Sequence, residues 1–272
     1  MGEDVDGWEA GDEILIEPGT YCGKCHYCQT GRENYCDYFG IFGETEDGMQ
    51  REFVSIEPKY LEKKPEHISF VEAAAFPLVF LTSYRMLIRR AQIKEGEKVL
   101  VLGATSGVGS AAIQIAKLFG CEVIATGGSK EKLEFARSLG ADFFINHYSN
   151  DIVKQIRKFT DGQGVDVVFE HVGSATWENS IKSLAKGGRL VTCGATTGAN
   201  VNIDLRHFFI KQQTLLGSTM GDTKGFKELV KYLHEKKLNH ILDKVFPMSQ
   251  VVEAHQYLED RQQFGKIVLV PD

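Results

Sequence analysis

Four cysteines lie within fifteen residues, in the segment Cys22-Gly-Lys-Cys25-His-Tyr-Cys28-Gln-Thr-Gly-Arg-Glu-Asn-Tyr-Cys36. Cysteines three apart can turn their sulfurs to one centre where the chain curls freely, and Gly23 and Gly31 supply that freedom. Four thiolates close a tetrahedral shell around Zn²⁺ and leave no open position. Cys22, Cys25, Cys28 and Cys36 therefore predict one structural zinc, worth on the order of 10 kcal/mol by analogy with small zinc modules. Two disulfides and an iron–sulfur cluster are the competing readings of the same residues. His26, between the ligands, reads as a solvated loop histidine.

The second constellation is Gly103-Ala-Thr-Ser-Gly107-Val-Gly109. It follows the apolar run 98–102, a buried parallel strand in pattern. After it Val108, Ala111, Ala112, Ile115 and Phe119 recur at helical spacing up to Gly120, a C-cap. A strand at 122–126 and a helix over 130–139 complete a βαβ unit. Glycines in such a turn let the backbone approach a pyrophosphate, which sits where unpaired N–H groups and the helix dipole favour an anion. A tight structural turn is the alternative reading.

The elements that must position this loop continue downstream. Strands are predicted at 142–146, 166–170, 189–193 and 215–218, with helices over 151–159 and near 177–185. That alternation predicts an α/β fold with a doubly wound parallel sheet. Ligands of such sheets bind at the carboxyl ends of the strands, here 103–109, 126–130, 171–173, 193–195 and 218–221. An NAD site places an acid after the second strand, whereas this chain has Ala125-Thr-Gly-Gly-Ser-Lys130. Ser129 and Lys130 offer donors and positive charge to a 2′-phosphate, so NADP(H) is favoured over NAD(H). The alternative for Lys130 is a solvated charge in a first helical turn, where the helix dipole slightly disfavours it.

The chain has 272 residues, 43 % hydrophobic and 25 % charged, with a formal net charge of −6. That is globular composition with room for two domains. The acidic balance argues against a general nucleic-acid binder. Residues 1–11 lack the basic start and apolar run of a signal peptide. The longest apolar stretch, 73–81, falls short of the roughly 20 residues a membrane span needs. A cytoplasmic protein is expected.

Taken together, the cysteine lobe, Phe80-Leu-Thr-Ser-Tyr84, the glycine loop and Phe264-Gly-Lys-Ile-Val-Leu269 resemble the medium-chain dehydrogenase/reductase superfamily. The resemblance covers the whole chain, and Ser106 makes the loop more like that of the quinone reductases than that of the alcohol dehydrogenases. It implies a Rossmann cofactor domain at 70–236, set within a mainly β, GroES-like catalytic domain at 1–69 and 237–272 with its zinc lobe at 20–40. It implies that Thr82 touches the nicotinamide end, that Ser106, Gly107 and Val108 face the pyrophosphate, and that His171 and Val172 line the adenosine–ribose side. Cys193, Gly194, Ala195, Ser218 and Met220 would lie near the nicotinamide, and Lys266 would reach the pyrophosphate. Cys193 could instead be a core residue and Lys266 a solvated charge.

The family's Gly-His-Glu element and upstream Cys have no match in residues 1–21. The opening to Asp12 resembles the strand and turn that follow them, which implies that the N-terminal part of the catalytic domain is missing. Alignment on Thr82 and Tyr84 puts Leu78 where alcohol dehydrogenases carry a zinc-ligating Cys. The resemblance then implies an NADP(H)-dependent oxidoreductase acting on an activated C=C bond, an enoyl thioester or a quinone, without catalytic zinc. A zinc alcohol dehydrogenase, and a cofactor-binding fragment without turnover, are the alternatives. No catalytic residue is assigned. A homodimer or homotetramer is expected, because the strand at 215–218 leaves an open sheet edge.

Overall fold

A computed structural model describes residue 2 and residues 5–272. The chain divides into two compact units, one running through Leu81 and resuming at Met220–Asp272, the other Thr82–Thr219. These divisions do not coincide with 69/70 and 236/237, because Phe70–Ala74 and Thr223–His234 group with the first unit.

The second unit is built on six parallel strands: β1 (Lys98–Val101), β2 (Glu122–Gly127), β3 (Phe143–Asn146), β4 (Val165–Glu170), β5 (Leu184–Thr192) and β6 (Thr214–Gly217). Their order across the sheet is β6-β5-β4-β1-β2-β3. The order reverses at β1, and that is where the chain places its glycine loop. Helices α1 (Gly107–Leu118), α2 (Lys130–Ser138), α3 (Ile152–Phe159), α4 (Trp177–Ser183) and α5 (Leu205–Ile210) alternate with the strands. The core is aliphatic: Leu100, Ile124, Ile145, Ile156, Val168 and Leu190 pack as one cluster, each at most 1 % exposed.

Each strand and helix predicted for this unit is found, but α4 ends at Ser183, short of 185, and α5 was not predicted. β5 begins at Leu184, ahead of the predicted 189, and pairs there with Val165. The register then shifts, and Arg189 meets Val167. Gly187 at φ +71° lets the strand bulge across Lys186-Gly187-Gly188, where the apolar pattern is interrupted.

The first unit consists of short strand pairs and helices. Ile14–Ile16 pairs antiparallel with Leu61–Lys63, Gly19–Thr20 with Gly40–Ile41, and Leu242–Pro247 runs parallel to Lys266–Val270. The strand expected before Asp12 is not found among the described residues; only the turn at 10–11 is present. Gly7 and Gly11, at φ +79° and +98°, break an extended run there. Phe70–Arg90 is long and apolar enough to cross a membrane, longer than the 73–81 stretch read from sequence, and 67 % of its most apolar window is buried in the protein.

Candidate functional site

The lobe brings all four predicted ligands together. The sulfurs of Cys22, Cys25, Cys28 and Cys36 lie within 4.8 Å of one another. Cys25 Sγ is 3.5 Å from Cys28 Sγ, and Cys22 Sγ is 3.9 Å from Cys28 Sγ. A tetrahedron of sulfurs about 2.3 Å from zinc has edges of about 3.8 Å, so the donor set fits that ion. Gly23 and Gly31 do turn the chain, at φ +73° and +67°. None of the six cysteines is in a disulfide. Backbone N–H groups of Lys24 and Cys25 draw the Cys22 thiol down to about 6. Burial, with hydrogen bonding from Cys25, pushes Cys28 up to about 12. Cys22 and Cys28 share one centre and part in this way, and a cation bound there would favour the thiolate of both.

In the other unit, the carboxyl ends of the strands are stitched edge to edge. Gly103 N–H donates to Thr126 Oγ1 at 3.1 Å and Ala104 N–H to the Thr126 carbonyl at 3.0 Å, tying the loop after β1 to the end of β2. On the other flank the His171 ring nitrogen Nε2 is 2.9 Å from the Leu102 carbonyl and 3.3 Å from Ser106 Oγ. Further along, Thr197 N–H donates to the Val172 carbonyl at 2.7 Å and Ser218 N–H to the Thr192 carbonyl at 2.9 Å.

The loop itself is built for close approach. Ser106 caps α1, its Oγ accepting from Gly109 N–H at 3.0 Å. A Cβ on Gly109 would sit 2.4 Å from the Gly103 carbonyl. Gly107 and Val108 carry first-turn N–H groups that the helix cannot pair for itself, the donors an anion seeks. Ser218 Oγ is buried without a hydrogen-bond partner. These features fit a dinucleotide.

The remaining predicted residues fall as follows. Ser129 caps α2, its Oγ accepting from Lys132 N–H at 3.3 Å, and Lys130 beside it is exposed. Thr82 is 6 % exposed in the helix Pro77–Tyr84. Cys193 is half-buried after β5, and burial pushes its thiol up to about 11; Gly194 and Ala195 are exposed beside it. Val172 packs against the aliphatic core. Met220 and Lys266 belong to the first unit, Met220 buried at φ +43° and Lys266 half-buried, its ammonium destabilised by burial. Leu78, 40 % exposed, offers no metal-ligating atom.

Sequence reading passed over Glu170. Fully buried at the end of β4, its carboxylate accepts from Val172 N–H at 2.6 Å, Gly173 N–H at 3.1 Å and Ser180 Oγ at 2.7 Å. It fixes the 171–173 turn. An acid closing the apolar strand Val165–Glu170 was the available signal. His147 and Tyr148 were also missed; their rings press on Gly128, where a Cβ would meet Tyr148 at 2.7 Å.

Comparison with known proteins places this geometry. Residues 107–235 match the family described as zinc-binding dehydrogenase, and residues 1–66 match the alcohol dehydrogenase GroES-like domain. A crotonyl-CoA carboxylase/reductase of Cereibacter sphaeroides is 33 % identical over 94 % of this chain, which spans 65 % of that relative. An acryloyl-coenzyme A reductase of Sulfurisphaera tokodaii is 30 % identical over the whole chain, which spans 80 % of it. The crystal structure of an NAD-dependent alcohol dehydrogenase superposes with a TM-score of 0.95 at 41 % identity, covering 98 % of this chain and 78 % of that one.

Proposed function

The chain belongs to the medium-chain dehydrogenase/reductase superfamily, and from that membership we propose that it is an NADP(H)-dependent oxidoreductase acting on an activated C=C bond, an enoyl thioester above all. Quinones are the second substrate class of the same reading. The cofactor, when bound, supplies the hydride, and the protein supplies its binding and orientation. The N–H groups of Gly107 and Val108 and the Ser106 hydroxyl hold the pyrophosphate. Ser129 and Lys130 hold a 2′-phosphate, and no acid stands after β2 to prefer a free ribose hydroxyl. Thr82 and Ser218 would line the nicotinamide end, with Cys193, Gly194 and Ala195 near it.

The observation that carries the substrate class is Leu78. In the alignment on Thr82 and Tyr84 it occupies the position of a catalytic-zinc ligand, and an isobutyl group cannot ligate zinc. A catalytic zinc needs three protein ligands and an open position. The one zinc in this reading sits on Cys22, Cys25, Cys28 and Cys36, where it cross-links the lobe and takes no part in chemistry. The names of the two CoA-reductase relatives point the same way. A zinc-dependent alcohol dehydrogenase is the second reading, favoured by the 41 % identity to the alcohol dehydrogenase structure. Unpaired thiols suit the reducing cytoplasm, and the edge strand β6 suits a dimer or tetramer contact.

The test is an NADPH-oxidation assay against crotonyl-CoA, a simple enone and a benzoquinone, with zinc counted per chain. Turnover with any of these and one zinc supports the proposal. Alcohol oxidation with two zincs replaces it by the second reading. Lys130→Ala should raise the Kd for NADPH roughly tenfold, the loss of one charge-assisted contact, and leave NADH binding unchanged.

A further inference from the structure

We infer that His171 is the positioning residue of the phosphate loop: its Nε2–H fills a lone pair of the Ser106 hydroxyl and so turns that hydroxyl's own hydrogen toward a bound pyrophosphate. This rests on the dinucleotide reading above.

A backbone carbonyl only accepts, so Nε2, 2.9 Å from the Leu102 carbonyl, carries the ring hydrogen. The same N–H then faces Ser106 Oγ at 3.3 Å as donor to acceptor. Gly109 N–H already donates to that oxygen at 3.0 Å. A serine hydroxyl has two acceptor lone pairs and one hydrogen. With both lone pairs taken from the protein side, the capacity left to Ser106 is donation, which is what a phosphate oxygen requires.

The imidazole also shapes the loop sterically. Gly103, at φ +54°, lies against the ring, and a Cβ there would meet Cε1 at 3.1 Å and Nε2 at 3.2 Å. The ring is held in turn. Its edge faces Phe169 with centroids 6.1 Å apart, its carbonyl accepts from Thr196 Oγ1 at 3.2 Å, and Glu170 fixes the two N–H groups that follow. Burial keeps the imidazole below its usual pKa, against the opposing pull of the Leu102 carbonyl and the Glu170 charge. The side chain therefore acts by orientation and adds no cation to the phosphate site. The family resemblance implies a place for His171 along the adenosine–ribose side, and its ring also lies against Gly103 and Ser106 of the loop.

The experiment is a double-mutant cycle on the full chain, reading the Kd for NADPH by titration calorimetry. Ser106→Ala and His171→Ala should each raise Kd by about tenfold, and the double variant should be no weaker than either alone. His171→Gln, which keeps an N–H donor at similar reach and volume, should recover most of the affinity. In the unmutated protein, nitrogen NMR should show the neutral, Nε2-protonated tautomer of His171. Additive losses in the cycle, an unchanged Kd in His171→Ala, or the Nδ1-protonated tautomer would each overturn the inference. Failure of the unmutated chain to bind either NADPH or NADH would instead bring down the dinucleotide reading, and the inference with it.

Discussion

The cysteine lobe and the glycine loop are both irregular segments turned by glycines, yet their glycines answer different demands. In the lobe, Gly23 and Gly31 take positive φ, and nothing lies within 4 Å of where a Cβ would go. In the loop, Gly109 would place a Cβ 2.4 Å from a carbonyl oxygen, and Gly103 would press one onto His171. The lobe needs only a backbone conformation and leaves the rest to its ligand. Its short helix His26–Gln29 buries no residue. The loop is packed by its own protein at Gly103 and Gly109, while Ser106, Gly107 and Val108 stay partly exposed. The lobe's glycines thus answer to backbone conformation alone, while the loop's answer also to the groups packed against them.

The largest test of that contrast is removal of metal. Chelation, or Cys25→Ser, should cost the lobe on the order of 10 kcal/mol, with zinc content falling from one per chain to none. Hydrogen exchange should then show lost protection over 20–40 and unchanged protection in β1–β6. Equal loss in both regions would erase the distinction.

The next largest effect tests what secures the root of the lobe. Glu17 is 2 % exposed and accepts from Thr223 Oγ1 at 3.0 Å. Burial, with the carboxyls of Glu33, Asp222 and Glu62 nearby, pushes its pKa from 4.5 up to about 8, against the Thr223 hydrogen bond. The folded chain thus holds a proton that the unfolded chain releases above about 4.5. The stability this group contributes is full below the unfolded value and is lost as pH rises through the folded one. At about 1.4 kcal/mol per pH unit, a few kcal/mol should go between pH 5 and 8.5. Glu17→Gln, which keeps an oxygen for Thr223, should flatten that slope in urea titrations. A slope unchanged by the substitution would assign the pH dependence elsewhere.

What was legible in the sequence follows the same line. The inner strands could be read because parallel strands buried on both faces carry apolar runs, such as Val99–Val101 and Val167–Phe169. The early start of β5 was hidden because Lys186-Gly187-Gly188 interrupts its pattern with a bulge. The convergence of the lobe's four sulfurs was legible, since the cysteines lie within one short segment and their spacing implies it. The props of the glycine loop were not. Ser106 and His171 are 65 residues apart, and their contact arises from strand order in the sheet, which local pattern does not encode. Glu170 was overlooked for a related reason: its partners lie in the turn and helix that follow, and only the fold turns them back onto the strand end.

Within the loop, Gly109→Ala should cost about 1–3 kcal/mol, as overpacking does, because the group it would strike is backbone and cannot swing aside. Dinucleotide binding should fall further than stability, since the displaced segment carries the Gly107 and Val108 N–H groups. A melt that shifts by several degrees with unchanged NADPH affinity would show that the loop's shape and its ligand are uncoupled.

The smallest effect belongs to the lobe's own glycine. Gly23→Ala meets no atom, so its cost is confined to holding an alanine at φ +73°, about 1–2 kcal/mol. In the zinc-loaded protein four metal–sulfur bonds hold that turn whatever residue occupies it, so the melt should move little and zinc stoichiometry should stay at one. The strain should emerge instead as a lower affinity for zinc in competition with a chelator, because the metal then supplies the energy that bends the chain. The same substitution type thus reads out through the ligand in the lobe and through packing in the loop. Were Gly23→Ala to prevent zinc uptake altogether, the lobe would be as rigidly prearranged as the loop, and the contrast between the two would disappear.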